Sequence, residues 1–172
     1  MSLASNLDIS RKIEPNNKRK INGACLVKRN TYSDDRGHLT EIYRIDEEYH
    51  KRFNDSISQV YLVENEERGI IRGFHKHLST RYSFFAAHGS AKFVLVDDRP
   101  ESDSYGVMNE FILSRLNKAL LIVPSGVFNG WMSLTRDTLI VGMTSIPYNR
   151  DNPDDARIPP TSFEYNWEVV GR

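Results

Sequence analysis

Apolar and polar residues alternate over short runs through most of the chain, and clusters of Gly, Asn, Asp and Ser separate these runs. Alternation with a period of two is typical of a β-strand that buries one face. A helical pattern fits only residues 46–52. The predicted strands cover residues 25–27, 39–43, 58–64, 82–87, 91–96, 108–114, 120–123, 128–133 and 138–144. Many short strands with turns between them predict an all-β fold, a barrel or a jelly roll.

The two ends of the chain lack this alternation. Residues 1–22 are polar and partly basic, so we expect an N-terminal arm or loose tail before a domain that spans residues 23–172. Residues 148–160 are rich in Pro, Asn, Asp and Arg, and we expect them to be irregular. A length of 172 residues suits a single domain with its own core.

Charge and cysteine content narrow the classes of function. The 23 basic residues balance the 23 acidic ones, which argues against a partner such as nucleic acid or an anionic membrane. Cys25 is the single cysteine, so no internal disulfide is possible and a cytoplasmic location is the simplest expectation. No apolar stretch of about 18 residues occurs, so we expect neither a membrane span nor an export signal.

The stretch that most suggests chemistry is Arg72-Gly73-Phe74-His75-Lys76-His77. In an extended backbone, residues two apart face the same side, so His75 and His77 project side by side. Histidine changes its charge near physiological pH, and a pair of histidines suits either proton transfer or metal binding. Taken alone, the pattern fits a surface pair at a strand end equally well.

The motifs around this stretch occur in the order of a known family. They are Asp35-Arg36-Gly37 with Glu41, Gln59-Val60, Arg72-Gly73-Phe74-His75, Val96-Asp97-Asp98-Arg99 with Ser102 and Tyr105-Gly106, and the run from Ile122 through Pro124-Ser125-Gly126 to Trp131. With these motifs the chain resembles the sugar-nucleotide-modifying cupins, in particular the dTDP-4-dehydrorhamnose 3,5-epimerases. The resemblance implies a single cupin domain, a double-stranded β-helix. It also implies a homodimer that pairs through edge strands.

The implied activity is epimerisation of a nucleoside-diphosphate 4-keto-6-deoxyhexose at C3, C5 or both, in deoxysugar, surface-polysaccharide or lipopolysaccharide biosynthesis. A C–H bond beside a carbonyl is acidic, so a base, a cation near the enolate and an acid suffice without a cofactor. By resemblance His75 is the base, and Arg72 binds phosphate or holds the enolate oxygen. The expected substrate-binding residues are Arg36, Glu41, Gln59, Tyr61, Arg72, Arg81, Asn129 and Trp131.

Four positions depart from the family pattern and predict an atypical active site. The family's second histidine is Asn129 here, its substrate-binding lysine aligns with Tyr82, and its acid tyrosine aligns with Gly142. Its base-orienting aspartate has no counterpart in residues 159–167.

These departures leave the general acid open. Tyr82 and His77 are the candidate acids, with Tyr148 as a weaker one. Arg81, next to Tyr82, is the candidate for the missing cation.

Two other functions stay open at this point. The Arg-Gly-x-His-x-His pattern, and the ungapped spacing from His75 to Gly89, also resemble the sugar-nucleotide 3,4-ketoisomerases, in which Tyr61 would donate a proton. A cupin that binds a sugar nucleotide without turnover is the second alternative.

A metal-dependent cupin is disfavoured by its ligand positions. His75 and His77 occupy the first two ligand positions of metal-binding cupins, but Tyr82 and Asn129 occupy the other two. Because two imidazoles without a carboxylate make a weak site, we expect no functional metal.

Overall fold

The computed structural model describes residues 5–51 and 56–169, and this part of the chain is built almost entirely of strands. The strands are β1 (Cys25–Lys28), β2 (Thr31–Asp34), β3 (Gly37–Thr40), β4 (Gln59–Asn65), β5 (Ile71–His77), β6 (Tyr82–His88), β7 (Ser90–Asp97), β8 (Met108–Ser114), β9 (Ala119–Val123), β10 (Val127–Ser133), β11 (Thr138–Thr144) and β12 (Asp155–Arg157). A short helix, α1 (Glu48–Lys51), and a 3-10 turn (Ser162–Glu164) complete the elements.

Ten of these strands form two five-stranded antiparallel sheets that face each other. The first sheet has the order β12-β5-β10-β7-β8, and the second has the order β1-β9-β6-β11-β4. Strands β2 and β3 form a separate hairpin. Apart from β7 and β8, neighbours in each sheet are not consecutive in the sequence, as in a jelly roll. The predicted all-β cupin fold, with a single domain, is confirmed.

Aromatic and aliphatic side chains from both sheets fill the space between them. Phe84 of the second sheet contacts Phe93 of the first at a ring-centroid distance of 5.1 Å, and Phe93 stacks on Trp131 at 5.8 Å. Leu95 and Leu121 are fully buried in the same cluster. Alternation along each strand places these residues inward, which is why the sequence pattern located the strands.

Both ends of the chain pack on the outer face of the first sheet, with Leu7 and Ile13 from one end and Phe163 from the other. At the end of the N-terminal arm, Ile21 is 1% exposed and enters the core between the sheets. The backbone N–H of Leu7 donates to Asp98 Oδ1 at 2.8 Å, and that of Asn16 donates to the Met108 carbonyl at 2.8 Å. Of the two expectations for this segment, residues 5–21 fit the arm and not the loose tail, because they are bonded to the barrel at several points.

Two other expectations about local structure need correction. The C-terminal segment predicted to be irregular contains β12, which pairs with β5 from Asp155 opposite His77 to Arg157 opposite His75. Three residues are too few for a periodic pattern, and β12 is recognised only by its pairing with β5.

The expected helix over residues 46–52 is present as α1, Glu48–Lys51, while residue 52 lies outside the described part. Within that part, no helix is long and apolar enough to cross a membrane.

Candidate active site

A cleft of about 440 Å³ lies between the two sheets, with β5, β10 and β12 on one side and β4, β6 and β11 on the other. The structure brings most of the predicted site residues together here: Gln59, Tyr61, Arg72, His75, His77, Tyr82, Asn129 and Trp131. Trp131 and Phe84 form part of the apolar floor. The cleft therefore combines titratable groups with an apolar surface, as small-molecule sites commonly do.

Arg72 and His75 both line the cleft although they lie three residues apart on β5. Strict alternation would place them on opposite faces of the strand. The pairing of β5 with β10 shifts register at a bulge here, and Gly73 has a φ of 135°. A Cβ at Gly73 would lie 2.5 Å from Gly130 Cα, so only glycine fits. The bulge thus directs the guanidinium and the imidazole into one site.

His75 is half-buried, and its backbone is held by a side chain of the neighbouring strand. Asn129 Nδ2 donates to the His75 carbonyl at 3.0 Å. Burial lowers the pKa of His75 below its ordinary value, and the cations Arg157 and Arg72 lower it further, while Asp155 opposes them. A lowered pKa leaves the imidazole neutral at physiological pH, which is the form that accepts a proton.

His77 and Tyr82 form a hydrogen-bonded pair at the back of the cleft. The Tyr82 hydroxyl lies 2.7 Å from His77 Nε2, and the ring centroids are 4.7 Å apart. Burial lowers the pKa of His77 and raises the pKa of Tyr82, so both groups are neutral. The tautomer of the neutral imidazole decides which of the two groups donates this hydrogen bond.

Three titratable residues that the sequence did not assign as site residues, or assigned only weakly, also line the cleft: Tyr148, Asp155 and Arg157. Arg157 Nε donates to Asp155 Oδ2 at 2.6 Å. The backbone N–H of Tyr148 donates to Gln59 Oε1 at 2.7 Å, which fixes this segment at the rim. The alternation of Asp155 and Arg157 around Ala156 is the only sequence signal for these positions, and it is too short to identify a strand.

Arg81 is not part of the cleft, contrary to the prediction. It precedes Tyr82, and neighbouring residues of an extended chain point to opposite sides. Its guanidinium is buried outside the cleft, where Nη1 donates to Ser83 Oγ at 3.1 Å. Arg81 is therefore not among the residues that line the cleft.

Arg36 and Glu41 also lie outside the cleft of this chain. Arg36 is at the tip of the β2–β3 hairpin, where its side chain is 89% exposed and bonds to Asp34. Glu41 follows the hairpin and forms an ion pair with Arg44 at 3.3 Å. Neither side chain reaches the substrate site of its own barrel, because the hairpin is a sheet of its own.

The donor set does not fit a metal centre of the cupin type. His77 Nε2 is engaged by Tyr82, and Asn129 donates its amide to the backbone of β5. Across residues 5–51 and 56–169 no three His, Cys, Asp or Glu side chains are grouped closely enough to share an ion.

The cleft of this jelly-roll barrel holds a neutral imidazole beside two guanidinium groups, an arrangement that suits proton transfer on an anionic ligand. The sequence pattern of the dTDP-4-dehydrorhamnose 3,5-epimerase family matches residues 18–171. The chain therefore belongs to this family of carbohydrate epimerases, and the family predicted from the motifs is confirmed.

Individual relatives agree with this assignment. The chain is 34% identical over 156 residues to the spore coat polysaccharide biosynthesis protein SpsL of Bacillus subtilis, which covers 88% of this chain and 99% of SpsL. It is 29% identical to a dTDP-4-dehydrorhamnose 3,5-epimerase of Sinorhizobium fredii, over 83% of this chain and 74% of that one. The structure of the Bacillus anthracis dTDP-4-dehydrorhamnose 3,5-epimerase, with TDP and PPi bound, superposes with a TM-score of 0.76 at 25% identity, over 88% of this chain and 90% of that one.

Proposed function

We propose that this protein epimerises a nucleoside-diphosphate 4-keto-6-deoxyhexose at C3, C5 or both, with His75 as the general base. The observation that carries the proposal is the neutral imidazole of His75, held by β10 and facing a cleft with Arg72 at its edge. Family membership supplies the class of reaction, and this geometry supports the roles of the residues.

Each residue in the proposed reaction acts at a definite step. His75 removes the proton beside the C4 carbonyl, and the electron pair moves to the carbonyl oxygen as an enolate. Arg72 stabilises the developing negative charge. Its guanidinium is held in place because Nε donates to Asn65 Oδ1 at 2.7 Å and Nη2 donates to the Glu64 carbonyl at 3.1 Å. A cation fixed in this way needs little reorganisation during the reaction.

Thymidine diphosphate is the nucleotide that we propose for the substrate. The Bacillus anthracis epimerase was crystallised with TDP and PPi bound. In this chain, Arg157 also lines the cleft. Its guanidinium suits a diphosphate, whose oxygens accept paired hydrogen bonds.

The proposal is tested by NMR in D₂O with dTDP-4-keto-6-deoxyglucose as the probe. We expect deuterium at C3, C5 or both, with inversion at the exchanged carbon. A 3-keto product without inversion would indicate a ketoisomerase, and unchanged substrate without exchange would indicate a binding protein. The epimerases among the relatives do not favour either alternative.

The proposed cellular role is deoxysugar synthesis for a surface polysaccharide or lipopolysaccharide, in the cytoplasm, where nucleotide sugars are made. The SpsL relative is named for polysaccharide biosynthesis. We propose no nucleic-acid or membrane partner, because the sequence has no excess of basic residues.

We also propose a homodimer. β1 and β4 are edge strands of the second sheet, and Leu26, Val60 and Leu62 on them are exposed apolar side chains. Exposed apolar edges are commonly protected by a second copy. Light scattering at micromolar concentration should give twice the chain mass, and a monomer would contradict the proposal.

Catalysis is proposed to need no metal. Protein purified without chelator should contain less than about 0.1 equivalent of Fe, Mn or Zn and lose no activity in EDTA. Near-stoichiometric metal that supports turnover would contradict this part of the proposal.

A further inference from the structure

Tyr61 has an unusual position in the cleft. It lies on β4 directly opposite Gly142 of β11. A Cβ at Gly142 would lie 2.3 Å from Tyr61 Cζ and 2.6 Å from its Oη, which is closer than non-bonded atoms approach. Its neighbours on the same face of β11, Ile140 and Thr144, also line the cleft. The ring of Tyr61 therefore occupies the space that a side chain from β11 would otherwise fill.

The second phenol in the cleft is already committed. The Tyr82 hydroxyl is hydrogen-bonded to His77 Nε2 at 2.7 Å. Among the residues that the structure describes, by contrast, none forms a hydrogen bond with the Tyr61 hydroxyl, which lines the cleft. The Tyr61 hydroxyl is thus available to a ligand without an internal partner, whereas the Tyr82 hydroxyl is engaged with His77.

The base and this phenol project from opposite sheets. His75 lies on β5 of the first sheet, and Tyr61 lies on β4 of the second. Inversion at carbon requires that the proton leave one face of the sugar and arrive at the other. Given the proposed function, we propose that Tyr61 is the general acid that completes the inversion. Neither the family resemblance nor the departures from it assigned this role to Tyr61 in epimerisation.

The proton balance of this step is simple. His75 gains the proton from the sugar carbon, and the enolate electron pair forms a new C–H bond with the Tyr61 hydroxyl proton. The enzyme is left with an imidazolium and a phenolate, which return to the starting state by proton exchange with water. Burial raises the pKa of Tyr61 to about 12, so the phenol is fully protonated before the reaction.

The decisive experiment separates proton removal from proton return. In D₂O, Tyr61→Phe should epimerise dTDP-4-keto-6-deoxyglucose at least about 10²-fold more slowly than wild type. His75 should still exchange the proton, so recovered substrate gains deuterium with its configuration retained. Tyr82→Phe should lose less than about tenfold, because its phenol acts on His77. A Tyr61→Phe rate within about tenfold of wild type overturns the assignment.

A second pair of variants tests the position of the phenol. Tyr61→Ala empties the space above Gly142, and Tyr61→Ala/Gly142→Tyr returns a phenol to it from β11. The double variant should epimerise at least about tenfold faster than Tyr61→Ala. This pair also decides if Tyr61→Phe fails to fold. A faster epimerisation rate in the double variant than in Tyr61→Ala supports the role of Tyr61. An unchanged rate in a folded double variant overturns it.

Controls distinguish failure of this inference from failure of the proposed function. Tyr105→Phe removes a hydroxyl that donates to the Asn6 carbonyl at 2.9 Å, away from the cleft, and should keep wild-type kcat and KM. If wild-type protein shows no exchange with the probe, the proposed function itself fails. If wild type and Tyr61→Phe both epimerise, only the role of Tyr61 fails.

Discussion

The two faces of β5 contrast sharply within seven residues. On the outer face, Phe74 is 0% exposed and Lys76 is 1% exposed. Lys76 Nζ donates to Asp98 Oδ2 at 2.7 Å and lies 4.9 Å from the centre of the Phe128 ring. On the inner face, His75 and His77 border a cleft and are neutral. One face is closed by packing and an ion pair, and the other is open to a ligand.

The contrast shows how a single strand separates stability from chemistry. Asp98 also accepts the backbone N–H of Leu7, so the outer face ties β5 to the N-terminal arm. The packing and the ion pair that stabilise β5 thus lie on its outer face, and the ring of His75 on the inner face remains available to substrate.

The largest expected effect comes from the inner face. His75→Asn removes the base and should slow epimerisation and deuterium exchange by about 10²–10⁴-fold, while dTDP affinity and thermal stability stay near wild type. NMR measures epimerisation and deuterium exchange, and calorimetry measures dTDP affinity and thermal stability. His88→Asn, at an exposed site outside the cleft, is the matched control. Full activity of His75→Asn would contradict the assignment of the base.

A change on the outer face of β5 should lower stability and leave activity nearly unchanged. Asp98→Ala leaves the Lys76 ammonium buried without its carboxylate and releases the bonds to the arm, so the free energy of unfolding should fall by about 3–5 kcal/mol. The value of kcat at a temperature where the variant is folded should stay within about threefold of wild type. Denaturant unfolding measures the free energy of unfolding. Lys12→Ala, which breaks an exposed pair with Glu14, should change neither property. An Asp98→Ala variant as stable as wild type would show that the outer face does not anchor the strand.

A smaller effect on activity is expected from β10, the strand beside β5, because its side chain Asn129 holds the backbone of His75. Asn129→Ala removes the amide that donates to the His75 carbonyl, so kcat should fall about tenfold with little change in KM. Asn117→Ala removes a similar bond, from Nδ2 to the Ile112 carbonyl at 2.7 Å, outside the cleft. The control should lose stability but not kcat. Equal kcat values for the two variants would exclude a positioning role for Asn129.

The smallest effect concerns pH. The base must be neutral, so kcat/KM falls as pH drops through the pKa of His75, which lies below its ordinary value of 6.5. Burial, Arg157 and Arg72 lower this pKa, and Asp155 raises it. Arg157→Gln removes a cation that lowers the pKa of His75 and leaves Asp155, which raises it, without its partner. The pKa of His75 therefore rises, and the fall of kcat/KM on the acid side of the pH profile (the acid limb) moves to higher pH. Arg157→Lys keeps the charge and should keep the limb. A shift to lower pH would contradict the electrostatic account.

The strands and most of the site were predictable because their signals are local. Alternation located β4, β6 and β11, and the spacing of His75 and His77 placed them on one face. The same rule could have excluded Arg81, which lies next to the inward-facing Tyr82. The described part of the helix begins at Glu48 and not at residue 46, because propensity alone does not define the exact end of a helix.

The sequence by itself determined the fold, the family and the histidine pair, since these depend on periodicity and on motifs within single segments. Only the tertiary structure decided which residues share the cleft. The bulge at Gly73 turns Arg72 inward, β12 brings Arg157 beside His75, and Tyr61 lies over Gly142. Each of these depends on contacts between strands far apart in sequence. Such contacts leave no periodic signal, because they are fixed only when the two sheets close on each other.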